Sequence, residues 1–157
     1  MEPDGTVFVP PSGRRPGPYA VVSSWFELVG SRVAQVMQQG LSQAGLALWR
    51  IDLPLRVSTR LSGVQLNGDV YTHTPARLVA YGCTRGTFRL TLLIKEPETI
   101  EIRLDGRLAR RLSYPSPAPD EVWRGEIPVA GHADDACTLE LASSGLIGTT
   151  VFAFDRG

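Results

Sequence analysis

From residue 55 onward, apolar and polar residues alternate with a period of two in short runs divided by turn residues. "LRVSTRL" sets Leu55, Val57 and Leu61 on one face, and "RLVAYGC" is apolar on both faces, as a central strand should be. "TFRLTLLIK" turns Phe88, Leu90, Leu92 and Ile94 inward and Arg89, Thr91 and Lys95 outward. After "EPE", "TIEIRL" places Ile100, Ile102 and Leu104 inside. Asp105-Gly106 is a favoured two-residue hairpin turn, because both residues tolerate positive φ, and "RLARRL" returns from it. Cys83–Leu112 therefore reads as successive strands in the middle of one sheet. "VWRGEIPV" aligns Trp123, Ile127 and Val129, with Pro128 arguing for a sheet edge. "CTLELA" aligns Cys137, Leu139 and Leu141, and "VFAF" closes the run as a buried strand. Short strands with turn chemistry between them predict an antiparallel β-sandwich over residues 55–157, jelly-roll or immunoglobulin-like in topology.

The first third follows another pattern. Residues 1–18, rich in proline, glycine and arginine, read as an irregular lead-in. "YAVVS" suits a buried strand. Between Ser24 and Gly45 the spacing predicts one amphipathic helix. Ser24 and Glu27 have capping-box spacing. Phe26, Val29, Val33, Val36, Met37 and Leu41 recur at helical intervals, and Gly45 suits the position past the C-terminus. Gly30 and Gly40 weaken such a helix by about 1 kcal/mol each, so it needs a surface to pack on. "LALWRIDL" then alternates, with Ala47, Trp49, Ile51 and Leu53 on one side. Residues 19–54 thus form a βαβ-like unit. It lacks the glycine-rich loop of a nucleotide-binding domain, "SSWFEL" standing there instead. The expected class is mainly β with a small α/β appendage.

Composition narrows the partners. The chain has 157 residues, enough for one domain with a small appendage. Its 16 basic and 16 acidic side chains give zero formal charge, which argues against nucleic acid as a partner. Lys95 is the only lysine, a bias more in keeping with codon use than with function. No apolar run approaches the roughly 18 residues of a membrane span. "MEPDGTVFVPPSGRRPGP" has no apolar signal core. On these grounds the chain is expected to be cytoplasmic if autonomous, or else a piece of a longer protein.

Cys83 and Cys137 lack metal-type spacing. They are either two small buried thiols or one disulfide, which would contribute roughly 4 kcal/mol and imply an oxidising compartment. Both fall near strand ends in core-facing phase, which makes the bond geometrically reasonable.

Reactive groups are scattered. His73 and His132 lie in predicted loops, and Asp134 and Asp135 beside His132 fit a surface loop better than a metal site. No GxSxG elbow is present. Glu96, Glu98 and Glu101 suit a solvated hairpin face. Arg107, Arg110 and Arg111 could form a basic patch, but cross-strand pairing with acidic residues is the plainer account. No cofactor is expected. A sugar-binding face would need exposed aromatics: Tyr71, Tyr114 and Trp123 are the candidates, with Tyr81 behind them, and the phase of Trp123 favours the core.

"YAVVSS", "LALWRIDLPLRV", "VAYGC…LTLLIK" and "WRGEIPV…CTLELASSGLIGTTVFAF" occur in an order that resembles the C-terminal extracytoplasmic region of actinobacterial-type polytopic membrane glycosyltransferases, which are similar to the protein mannosyltransferase superfamily. The resemblance spans residues 19–157 and implies a small α/β piece leading into a β-sandwich with a cysteine at each of the two positions seen here. Such enzymes use polyprenyl-phosphate sugars, and their catalytic acids lie on loops of a membrane domain, so no catalytic residue is implied in this chain. The expected role is a non-catalytic extracytoplasmic module that partners the membrane domain of a parent protein and touches glycan or cell-envelope carbohydrate. An independent carbohydrate-binding module is the alternative, and a small enzyme acting through His73 or His132 stands behind it.

Overall fold

A computed structural model describes residues 19–23, 25–38, 45–52, 56–65, 69–70, 74–119, 121–130 and 136–157. All regular structure among them is β. In chain order the strands are β1 (Tyr19–Ser23), β2 (Phe26–Leu28), β3 (Gly30–Gln38), β4 (Gly45–Ile51), β5 (Val57–Ser62), β6 (Asp69–Val70), β7 (Ala76–Tyr81), β8 (Arg85–Ile94), β9 (Glu98–Leu104), β10 (Arg107–Tyr114), β11 (Glu121–Ala130), β12 (Ala136–Ser143) and β13 (Ile147–Arg156). The lead-in, 1–18, lies outside the described residues.

Two antiparallel sheets make the sandwich, one of six strands in the order β10-β9-β12-β7-β5-β2 and one of four in the order β11-β8-β13-β6. Alternation builds the core between them. Ala76, Leu78, Ala80, Ile100, Ile102, Leu139 and Leu141 face inward from the larger sheet. Phe88, Leu90, Leu92, Ile94, Ile127, Val129 and Ile147 meet them from the smaller one. Strand β7 is central, as read, but only one of its faces is buried; Arg77 and Tyr81 are exposed on the other. Strand β13 runs longer than "VFAF", and its bulge between Thr149 and Val151 leaves Val151 exposed.

The stretch Cys83–Leu112 does not lie in one sheet. Strand β8 belongs to the smaller sheet and β9 and β10 to the larger, so the chain crosses the sandwich at Lys95–Pro97. Turn chemistry explains the difference. Asp105 and Gly106 have φ of 49° and 77° and close a true hairpin, whereas "EPE" supplies no residue suited to positive φ and cannot fold β9 back onto β8.

The predicted helix over residues 24–45 is replaced by β2 and β3; Ser24 and residues 39–44 lie outside the described residues. Strand β3 pairs with β4, and β1 pairs with the other side of β4, both antiparallel, so the βαβ-like unit is instead a three-stranded sheet, β1-β4-β3. The ladder of β3 slips twice, between Arg32 and Ala34 and between Gln35 and Met37. Val33 and Val36 are the extra residues, three apart. Each bulge resets the alternation, so a strand with two bulges imitates helical spacing. Gly30 is a close-approach residue: at φ 145°, a β-carbon there would sit 2.1 Å from the Arg50 carbonyl oxygen. Leu28, Ala47, Trp49 and Ile51 form a second small core, with Val57 against it.

Candidate functional site

Both ends of the sandwich are fastened where the chain passes between sheets. At one end, a disulfide joins Cys83, on the β7–β8 crossover, to Cys137 on β12, with Cα atoms 5.9 Å apart. Beside it the Arg156 guanidinium donates to the carbonyls of Gly82 (3.1 Å), Tyr81 (2.6 Å) and Ser58 (3.1 Å). At the other end, the β8–β9 and β12–β13 crossovers are laced by polar side chains. Ser144 exchanges hydrogen bonds with the Thr99 backbone, the Leu146 amide donates to Glu96, and the Ser143 hydroxyl donates to Glu98 while accepting from the Gly145 amide.

Glu98 is 5% exposed, and its Oε1 has no hydrogen-bond partner among the described residues. Burial pushes its carboxyl above the usual carboxylate range; the Ser143 hydrogen bond opposes this, and the nearby Glu96 charge adds to it. Ser143 is also buried, with its hydroxyl engaged twice. The pair therefore fixes a turn and is not presented to a substrate. A raised native pKa means that the folded state holds the proton more tightly than the unfolded chain. The resulting stabilisation is complete below the ordinary carboxylate pKa and is lost as pH rises through the raised one. Glu98→Gln cannot ionise, so urea denaturation across pH should show a flatter stability profile for the variant. Parallel profiles for the two proteins would contradict the burial argument.

Accessible polar and aromatic side chains lie along the side where the sandwich is open, between edge strands β10 and β11. Directly opposed residues of an antiparallel pair share a face. Tyr114 opposes Glu98, Leu112 opposes Ile100, Arg110 opposes Ile102, and Arg107 opposes Leu104. All four thus lie on the inner face of β10. Tyr114 and Leu112 are half-buried against the core, while Arg107 and Arg110 are exposed, so this end of the strand overhangs the smaller sheet. On the inner face of β11, Trp123 packs on the same core with its indole across Gly125, where a β-carbon would come within 2.2 Å of the ring. The Tyr114 hydroxyl is pushed above its ordinary range by burial, with the Glu121 and Glu98 charges acting in the same direction. It stays protonated at neutral pH and can donate. Past the end of β10, the chain at Pro117–Pro119 faces Leu93, Ile94 and Lys95 across a groove of about 550 Å³.

Two of the aromatic candidates, Tyr114 and Trp123, therefore come to one margin. Trp123 is part core and part surface. Tyr71 lies outside the described residues, as do His73, His132, Asp134 and Asp135; Tyr81 points to the outer face of the larger sheet. Cross-strand pairing accounts for Arg111, which donates to Glu101 on β9 through Nε at 3.1 Å; Arg103, two residues further along β9 itself, lies 2.7 Å from the same carboxylate. These two guanidiniums hold the Glu101 carboxyl below its usual range. Arg107 and Arg110 differ, since no ion pair engages them among the described residues. In the sequence Arg107, Arg110 and Arg111 stand together as one basic cluster. The signal that separates them is the register from the Asp105-Gly106 turn, but the bulge between Leu108 and Arg110 shifts it by one residue. Among the described residues no three His, Cys, Asp or Glu side chains gather as metal ligands, and no helix is long and apolar enough to cross a membrane.

No family model matches the chain, and no curated protein matches it. Among solved structures it is similar to one described as a family 6 carbohydrate-binding module, with 14% identity over 85% of this chain and 95% of that one, and a TM-score of 0.37. At that level the likeness assigns neither a ligand nor a site.

Proposed function

We propose that this chain is a non-catalytic recognition module that works outside the cytoplasm and contacts carbohydrate along the β10–β11 margin. The observation that carries the reading is the placement of Tyr114 and Trp123 on the inner faces of the two edge strands, each half-buried against one core. Binding sites for polar-ringed ligands combine aromatic surface with a few placed polar groups, and here the Tyr114 hydroxyl supplies a donor beside the rings. The disulfide supports a location where thiols oxidise. The order of the four sequence stretches supports attachment to a membrane glycosyltransferase that uses polyprenyl-phosphate sugars, with this chain as its soluble part.

A glycan array probed with the purified chain tests the carbohydrate reading. At least one oligosaccharide should be retained, and Tyr114→Ala, checked for folding by circular dichroism, should weaken its binding by about tenfold or more. An array on which nothing binds above background would sink this reading.

A further inference from the structure

We infer that the ligand of this margin is an acidic oligosaccharide carrying uronate carboxylates, read by Arg107 and Arg110. The inference rests on the carbohydrate reading above and makes it specific. Arg107, Arg110, Leu112 and Tyr114 follow one another along the inner face of β10, so two cations, an apolar residue and an aromatic ring form one continuous stripe. At about 3.3 Å per residue the stripe is roughly 20 Å long, which suits a chain of several sugar units better than a single one.

The two arginines stand apart from the other charges of the larger sheet. On its outer face Arg103, Glu140 and Arg77 stand in one cross-strand row, with Arg77 Nε 3.5 Å from Glu140, and Glu101 takes both Arg103 and Arg111. On that face each of these arginines has a carboxylate partner. The inner face of the overhang carries Arg107 and Arg110 with neither ion-paired among the described residues, and the residues opposing them, Leu104 and Ile102, are apolar. Glu98 and Glu121 lie at the Tyr114 end of the margin, while Asp105, before Arg107, accepts the Thr138 amide of β12 at 2.7 Å. Glu98 is buried and Glu121 accepts the Ala118 amide at 3.0 Å.

An unpaired guanidinium offers a planar fork of donors that matches a carboxylate bidentately. A uronate carries that carboxylate directly on the sugar ring. A ring can therefore lie on Trp123 or Tyr114 while carboxylates further along the chain reach Arg110 and Arg107.

Isothermal titration calorimetry on the full chain decides the matter, using an oligogalacturonate, its methyl-esterified counterpart and a phosphate-bearing neutral oligosaccharide. The oligogalacturonate should bind about tenfold or more tightly than its ester, with an advantage that shrinks as salt rises. The double variant Arg107→Ala, Arg110→Ala should abolish that advantage. The double variant Arg77→Ala, Arg111→Ala makes the same charge change on the outer face and should retain it. Equal affinity for acid and ester, with binding still dependent on Tyr114, would overturn the uronate inference and leave the carbohydrate reading standing. Preference for the phosphorylated sugar, or uronate binding indifferent to Arg107 and Arg110, would also overturn it. No binding to any glycan would remove both.

Discussion

The double variant Cys83→Ala, Cys137→Ala should lose about 4 kcal/mol of stability relative to the oxidised protein, because the bond closes a loop between residues 54 apart in sequence. For a chain of this size that corresponds to a fall in Tm on the order of 10 °C. Alanine is the informative replacement: both positions are fully buried, and serine would add the cost of burying a hydroxyl. The position of the bond raises the stakes. Cys137 lies on β12 one step from the β7–β8 crossover, opposite Ala80, so the bond holds the point where the chain leaves the larger sheet for the smaller. Thermal denaturation followed by circular dichroism, with and without reductant, measures the effect. A melting curve unmoved by reduction would show that the bond contributes nothing beyond the packing around it.

Phe88→Ala should cost about 3–5 kcal/mol, the range for truncating a buried aromatic side chain. Phe88 is fully buried near the middle of the smaller sheet, between Ile127 on β11 and Phe154 on β13, with its ring centroid 4.7 Å from that of Phe154. Neither neighbour can close the gap freely. Phe154 is held by its own ladder and lies beneath the Arg156 guanidinium, whose central carbon is 5.8 Å from the ring centroid. Urea denaturation at neutral pH reads the loss directly. A change below about 1.5 kcal/mol, the usual limit for volume-conserving swaps, would mean that the two sheets are not packed against each other at this position.

Where one face of a strand is buried and the ladder is regular, the sequence carried the fold plainly. The inward sets of β8, β9 and β12 can be read off by alternation, and Asp105-Gly106 marks its hairpin because only a few residue types accept that backbone. The closing of Cys83 on Cys137 could be reached only as one of two options, since phase and strand ends allow a bond without requiring it. Two features were hidden for physical reasons. Which sheet a strand joins is decided by its crossover, and the alternation within β8 and β9 is the same whether the link between them turns back or crosses over. A bulge changes the phase of everything after it, and this disguised β3 as a helix and concealed that Arg107 shares the face of Arg110 and Tyr114. The site was legible only as residue types: the aromatic candidates were named from the chain, but their meeting across two edge strands depends on long-range packing.

The two slips in β3 also bear on how the chain acquires its structure. Until β4 is available to pair with it, nothing fixes the register of the segment around Val33 and Val36, because its alternation is interrupted at both positions. Pairing with β4 supplies the register that the local alternation does not. A strand that takes its register from its partner is more open to slippage than one with regular alternation, and that openness lies in the first third of the chain, away from the disulfide-closed sandwich.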